Sequence, residues 1–347
     1  MRAVSTWSDL PQDSTTVTAS LTSPARYRYD ILNNAKIIVH HVTPPKDIQS
    51  QVNAIFNRRI SKERRSEISS IAKGMCNEFI AITQANRRED DCVEVVITAL
   101  ETMDKEKVFA FVRKADWDPN LNPDPPQLFN FKHLGHANNE ADYTAERPTK
   151  RQRREWSSNP SSDQSRPDAP ASERGQHKGV KTPRPDCTIG LSHSTLAHAL
   201  SERVLKTSQA DGFLRGLQRE HILYSDPTEN SMNGRFPVLV VEGKAYATGK
   251  TVFEAENQAA VAGSCMVNLL QQLTDVHDRC VPDSPHMKEA PLTFSISTWG
   301  PLLQFWVHYP LVEDNITSYH MSVLKTCHAC IADELEDFLL MSQQLMS

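Results

Sequence analysis

The apolar run at 238–241, VLVV in the segment RFPVLVVEGKAY, constrains the fold more than any other stretch of the chain. Four apolar residues without alternation are typical of a strand that is buried on both faces. Such a strand needs a layer of helices on each side of its sheet. A helical pattern of ordinary length follows directly in TVFEAENQAAVAGSCMVNLLQQL, and strand-like segments such as LTFSISTWG and LLQFWVHYP come later. The sequence therefore predicts a mixed α/β fold, with a central mixed sheet flanked by helices.

Order is predicted to be uneven along the 347 residues. Residues 1–30 and 117–182 are polar and lack apolar periodicity, so we expect a disordered tail and a long disordered linker. Residues 44–116 show apolar spacings of three and four, which predict an N-terminal helical part packing on the core. Within that part, VEVVITAL and KVFAFV fit either strands or helix ends. Residues 183–347 are expected to form the core.

Charge and composition limit the classes of function. The net charge of −5 excludes a chain that coats nucleic acid with its whole surface, so any such contact must be local. The start of the chain lacks a signal-peptide pattern, and no apolar run approaches the ~20 residues that span a bilayer. The 7 cysteines are odd in number and scattered, which favours reduced thiols. We expect an intracellular protein that is neither secreted nor in a membrane.

A basic run lies inside the predicted linker. PTKRQRRE contains Lys150, Arg151, Arg153 and Arg154 in a flexible context. Such a run indicates a nuclear-import signal or a loose nucleic-acid patch, and the alternative is a linker that only adds solubility. We predict a nuclear location on this basis, and otherwise a cytoplasmic one.

The end of the buried strand carries a Glu-x-Lys pattern. Glu242 and Lys244 are two residues apart, so their side chains share one face of the strand. Asp186 follows Pro185 at the start of another predicted strand, which could bring the two carboxylates together. Two carboxylates that close favour a bound cation such as Mg²⁺ or Mn²⁺, which can activate water for phosphodiester hydrolysis, while Lys244 orients that water. A structural ion pair between Glu242 and Lys244 is the alternative.

A phosphate loop is a competing interpretation of the segment that follows. Gly249, Lys250 and Thr251 match the tail of such a loop, but the leading glycine would fall at position 244, which is a lysine. Thr251, followed three residues later by Glu254, instead predicts a capping box that begins a helix.

A zinc site is a second competing interpretation, with ligands at Cys327, Cys330, His277 and Cys280. The spacings of the two pairs are unrelated, and we expect Cys327 to begin a final amphipathic helix that ends near Leu345. Small buried cysteines are therefore favoured over zinc ligands.

Four segments of the chain resemble a known superfamily: RPDCTIGLS, RFPVLVVEGKAYATGK, FEAENQAAVAGS and FSISTWGPLLQFWVHY. They are similar to fungal proteins of unknown function in the PD-(D/E)XK nuclease-like superfamily. The resemblance covers roughly 183–345 and, more loosely, the helix around KGMCNEFI. It implies a restriction-endonuclease-like core.

The resemblance also implies roles for individual residues. Asp186 and Glu242 match the metal carboxylates, Lys244 the motif lysine, and Gln258 a polar residue on the following helix near the nucleic acid or metal. Glu78 would be the carboxylate that some branches place on the first helix. The segment between Asp186 and Glu242 is longer than the family usually has. We predict a Mg²⁺-dependent nuclease acting on DNA or RNA, and the alternative is an inactive relative that binds nucleic acid or a protein partner.

Overall fold

A computed structural model describes residues 23–85, 89–123, 179–203, 206–228, 233–244, 251–281 and 289–347. Within these ranges, seven strands form one mixed sheet. In chain order the strands are β1 Ile37–His40, β2 Phe109–Arg113, β3 Cys187–Ser192, β4 Gly234–Lys244, β5 Thr293–Trp299, β6 Leu302–Glu313 and β7 Ile316–His328. Their spatial order is β1-β7-β6-β5-β4-β3-β2. The pairs β1–β7 and β4–β5 are parallel and the others antiparallel.

Helices cover both faces of this sheet, which confirms the predicted mixed α/β fold. In chain order the helices are α1 Pro24–Arg26, α2 Lys46–Phe56, α3 Lys62–Gln84, α4 Glu89–Met103, α5 His193–Arg203, α6 Thr207–Arg219, α7 Val252–Cys280 and α8 Ala332–Leu345. A π-helical turn, Tyr27–Leu32, continues α1. None of the helices in the described ranges is long and apolar enough to cross a membrane.

Strand β4 lies between two separate apolar cores, as its unbroken apolar run predicts. Leu239 and Val241 face a core shared with α2, α3, α4 and α8. Val240 points the other way, into a core shared with α7 and the Tyr27–Leu32 turn. Side chains of β4 thus alternate between the α4 face and the α7 face of the sheet. This alternation decides which way the residues at the end of β4 point.

Helix α7 lies close to the sheet because small residues line its inner face. Ala259, Ala260 and Ala262 are buried, and a Cβ on Gly263 would lie 2.0 Å from Nδ1 of His308. Only glycine leaves room for the histidine at that point. Thr251 is the N-cap residue, as predicted, but its side chain makes no capping hydrogen bond.

A helical hairpin, α5 and α6, fills the long segment between the two halves of the predicted motif. It follows the end of β3 and precedes the start of β4, so it lies at the end of the sheet opposite to Asp186 and Glu242. His193 and Arg235 anchor it: Arg235 Nε donates to His193 Nδ1 at 3.0 Å. His193 Nε2 in turn lies 2.5 Å from Asp211 Oδ1 on α6. The insertion therefore lengthens the motif without separating its residues.

The described fold extends beyond the predicted domain limits. Helix α1 and the first part of the turn after it lie inside the tail predicted at 1–30, and β1 precedes the helical part predicted to begin at residue 44. Trp117 and Leu121, at the start of the predicted linker, are fully buried. Residues 1–22 and 124–178, including the basic run, lie outside the described ranges.

Two further expectations are settled by the structure. VEVVITAL belongs to α4 and KVFAFV to β2, so one of the two ambiguous segments is helical and the other extended. The final helix begins at Ala332 and not at Cys327, because β7 continues to His328. The sequence pattern missed this strand extension.

Candidate functional site

The candidate site lies at the carboxyl end of β4. Glu242 and Lys244 are two and four residues after Val240 on β4. Their side chains therefore point to the α7 face, as that of Val240 does. Glu242 is 2% exposed and Lys244 is 9% exposed. Moving a carboxylate or an ammonium out of water costs on the order of several kcal/mol per ion. Hydrogen bonds or an opposite charge must offset that cost.

Gly243, between these two residues, points to the opposite face. A Cβ at this position would lie 2.1 Å from Cγ2 of Val93 on α4 and 3.3 Å from Cγ2 of Thr298. The absence of a side chain therefore lets α4 pack directly on the end of β4. The glycine therefore determines how closely α4 approaches the end of β4, where Glu242 and Lys244 lie.

Asp186 reaches the same strand end from β3. Cys187 pairs with Val241 in the antiparallel ladder, so the residue before β3 lies opposite Glu242. Oδ2 of Asp186 accepts a hydrogen bond from the backbone N–H of Gly243 at 2.8 Å. Hydrogen bonds to an ionised carboxylate are among the stronger ones in proteins. The structure thus brings Asp186 to the backbone between Glu242 and Lys244.

Lys244 also turns back onto the strand end. Its Nζ donates to the carbonyl oxygen of Gly243 at 2.6 Å. The Lys244 ammonium therefore lies beside the carbonyl group of Gly243, the residue that follows Glu242. Asp186, Glu242 and Lys244 of the sequence prediction thus lie at the carboxyl end of β4, on either side of the Gly243 backbone.

Glu78 does not join them. It is exposed on α3, which packs on α4 and α8 in the core opposite to the α7 face. On that face of the sheet, α4 contacts the end of β4 through Val93. The acidic residue closest in sequence to that contact, Glu94, is exposed and pairs with Arg113 of β2 instead. The assignment of Glu78 to a metal site is therefore corrected.

Gln258 does not point into the site either, because it is exposed on α7. Its neighbours Glu256 and Asn257 are buried and bind Arg28 instead. Arg28 Nη2 donates to Glu256 Oε2 at 2.6 Å, and Nε donates to Asn257 Oδ1 at 2.7 Å. Oε1 of Glu256 is buried without a hydrogen-bond partner in the described part of the chain. These inward polar residues of α7 anchor the N-terminal segment.

A row of polar side chains that sequence reasoning missed continues from Glu242 across the sheet. Ser297 on β5 is the register partner of Glu242, and Gln304 on β6 is the partner of Ser297. Ser297 Oγ donates to Gln304 Oε1 at 3.0 Å and accepts from Trp306 Nε1 at 2.8 Å. The alternation of Ser295 and Ser297 with apolar residues in FSISTW was the available signal, since polar residues in a buried strand need partners.

A neutral histidine belongs to the same layer under α7. His308 Nε2 lies 2.8 Å from Ser295 Oγ. Burial lowers the pKa of His308 to about 3, because a charged imidazole would lose its hydration there. The layer therefore contains an uncharged imidazole at neutral pH.

The two competing interpretations gain no support from the described residues. Lys250 of the phosphate-loop pattern lies outside them. Cys327 and His277 belong to different elements, β7 and α7. No group of three or more His, Cys, Asp or Glu side chains within the described ranges is arranged to hold a metal ion.

Fold and site together define a mixed α/β protein that gathers two acidic residues and a lysine at one strand end. A family model described as "Domain of unknown function (DUF7924)" matches residues 131–338, and the chain belongs to this family. The matched region contains Asp186, Glu242 and Lys244, but not α2, α3 or α4. No curated protein and no solved structure is significantly similar to the chain.

Proposed function

We propose that this protein is a Mg²⁺-dependent nuclease that hydrolyses phosphodiester bonds in nucleic acid. The observation that carries the proposal is the hydrogen bond from the Gly243 N–H to the Asp186 carboxylate, which draws the Pro-Asp and Glu-x-Lys motifs together. The mixed sheet with helices on both faces is compatible with the restriction-endonuclease-like core that the resemblance implies. A structural ion pair between Glu242 and Lys244 would not require the contact that Asp186 makes with the Gly243 N–H.

The donor set suits the proposed ion. Mg²⁺ prefers oxygen ligands, is commonly bound by one or two carboxylates and keeps several waters, so Asp186 and Glu242 are sufficient as protein ligands. When bound, Mg²⁺ would supply Lewis acidity to the phosphate and lower the pKa of a water molecule. Lys244 would orient the attacking water or offset the charge that develops on the phosphate. Asp186 would use Oδ1, since Oδ2 accepts the Gly243 N–H.

The test compares matched variants on single- and double-stranded DNA and RNA with Mg²⁺ or Mn²⁺. Glu242→Gln and Lys244→Met keep side-chain size and remove the charges. Each should lower cleavage by about 100-fold or more, because metal chemistry is worth several kcal/mol and each ~1.4 kcal/mol is tenfold. Glu78→Gln and Gln258→Ala change exposed residues outside the proposed site, so these two variants should cleave like the wild type. Equal cleavage by wild type and Glu242→Gln would refute the proposal.

The second candidate is a nuclease-fold protein that binds nucleic acid or a protein partner without cleaving. The burial of Glu242 and Lys244 favours it, because a substrate phosphate must reach both groups. A Mn²⁺ titration separates the candidates. Binding that is lost in Asp186→Asn and Glu242→Gln supports the nuclease, whereas a non-catalytic scaffold should show no binding that depends on these carboxylates.

We also propose that the basic run from Lys150 to Arg154 directs the protein to the nucleus, where nucleic acid is available. A fluorescent fusion of the full chain should accumulate in nuclei, and a fusion with these basic residues changed to glutamine should not. Equal distribution of both fusions would contradict this proposal.

A further inference from the structure

The row formed by Glu242, Ser297 and Gln304 places an amide group beside the proposed metal carboxylates. All three side chains lie on the α7 face, because they are consecutive register partners on β4, β5 and β6. All three are nearly buried, Gln304 with 9% exposure. A glutamine in this position is a candidate to contact whatever Glu242 binds. The inference rests on the proposed nuclease function.

Hydrogen bonds fix the orientation of the Gln304 amide. Trp306 Nε1 can only donate, and it donates to Ser297 Oγ. The single proton of Ser297 is donated to Gln304 Oε1. The glutamine is thereby tethered toward β5 by its oxygen. In the described part of the chain its amide nitrogen has no hydrogen-bond partner, so both N–H donors are available to a ligand.

Gln304 and Glu242 lie two strands apart on the same face of the sheet. Neighbouring strands are about 4.8 Å apart, so the backbones at Glu242 and Gln304 are about 10 Å apart, with Ser297 between them. The hydrogen bond to Ser297 holds the amide on the Glu242 side of β6.

We propose that the Gln304 amide donates a hydrogen bond to a non-bridging oxygen of the phosphodiester that is cleaved. This contact would position the phosphate against the Asp186–Glu242 pair. It would also stabilise negative charge that grows on that oxygen during the reaction. The polar role that the sequence suggested for Gln258 would thus belong to a glutamine on β6, which faces inward, and not to one on the outer side of α7.

The test uses two changes at Gln304 and two comparison variants, on the oligonucleotide that the wild type cleaves fastest. Gln304→Glu keeps the oxygen that accepts from Ser297 but replaces the donor nitrogen with an acceptor. Gln304→Ala removes the whole amide. Each should lower kcat/KM by about 10- to 100-fold, in the range for loss of one donor at a developing oxyanion. Ser297→Ala removes the tether and also the acceptor of Trp306 Nε1 but leaves the amide in place, so it should cause a smaller loss, and Gln258→Ala none.

Mn²⁺ affinity, measured by electron paramagnetic resonance, separates a phosphate contact from a structural role. Gln304→Ala should bind Mn²⁺ like the wild type, because the amide is not a metal ligand. Wild-type cleavage by either Gln304 variant, or a loss of Mn²⁺ affinity in Gln304→Ala that matches its loss of rate, would overturn this inference alone. Absence of Glu242-dependent cleavage in the wild type would overturn the proposed function and this inference with it.

Discussion

The substitution Gly243→Ala tests whether α4 packs as closely against the end of β4 as the structure shows. The added Cβ of Gly243→Ala would lie 2.1 Å from Val93 Cγ2, well inside the ~3.5–4.0 Å of carbon contacts. Val93 is buried and β-branched on a helix, so it has one strongly preferred rotamer and cannot simply turn away. Helix α4 or the strand must shift. Overpacking of this kind costs about 1–3 kcal/mol.

The assay is thermal and urea unfolding of the full chain. For a folded unit of this size, a loss of 1 kcal/mol lowers Tm by about 2–4 °C, so Gly243→Ala should lower it by roughly 2–12 °C. Gly74→Ala is the matched control, because a Cβ on Gly74 in α3 would meet nothing within 4 Å. Since glycine is unfavourable inside a helix, this control should stabilise the protein by about 0.5–1 kcal/mol.

A second substitution makes the test specific to the contact. Val93→Ala removes the methyl groups that Gly243→Ala would strike, so the double variant should be more stable than the two separate losses predict. Under the proposed nuclease function, the Gly243→Ala protein should also cleave more slowly, because Asp186 binds the N–H of residue 243. An unchanged Tm in Gly243→Ala, or strictly additive losses in the double variant, would refute the packing argument.

Two further predictions concern other buried groups. Because the pKa of His308 in the fold is about 3, below that of an unfolded histidine near 6.5, its contribution to stability is complete above about pH 6.5 and is lost as pH falls toward 3. His308→Gln should therefore lower the slope of the unfolding free energy against pH, measured by urea unfolding, by up to about 1.4 kcal/mol per pH unit between pH 6 and pH 4. Equal slopes for the variant and the wild type would contradict this. Arg28→Ala should destabilise the protein by up to about 3–5 kcal/mol in urea unfolding, because it leaves the buried Glu256 carboxylate with His41, 3.5 Å from Oε2, in place of a charge-assisted hydrogen bond. The loss should be smaller when Glu256→Gln is added. Equal stabilities of Arg28→Ala and wild type would show that the N-terminal segment is not anchored through this pair.

The strands and helices nearest the site could be predicted from local pattern. The apolar run before Glu242 and the long helical pattern after Thr251 are strong signals, and they became β4 and α7. VEVVITAL was ambiguous because its β-branched residues suit a strand. Val93, Val96, Ile97 and Leu100 have helical spacing, and their burial against the sheet decides for a helix. Burial depends on contacts with the rest of the chain, so it cannot be predicted from the sequence of one segment alone.

The same distinction separates the site residues that could be predicted from those that could not. Asp186, Glu242 and Lys244 stand in short motifs at strand ends, where sheet register brings them together. Glu78 and Gln258 were placed by analogy on helices, and a helix turned by one residue moves a side chain by about 100°. Gln304 belongs to no recognisable motif in the strand-like segment LLQFWVHYP, and its partnership with Ser297 depends on antiparallel register.

Anomalous diffraction from a crystal soaked in Mn²⁺ tests the central claim most directly. The account predicts a peak at the carboxyl end of β4, within coordination distance of Oδ1 of Asp186 and the Glu242 carboxylate, and no such peak in crystals of Glu242→Gln. A fully soaked crystal with no peak there, or with its strongest peak bound by other side chains, would contradict it.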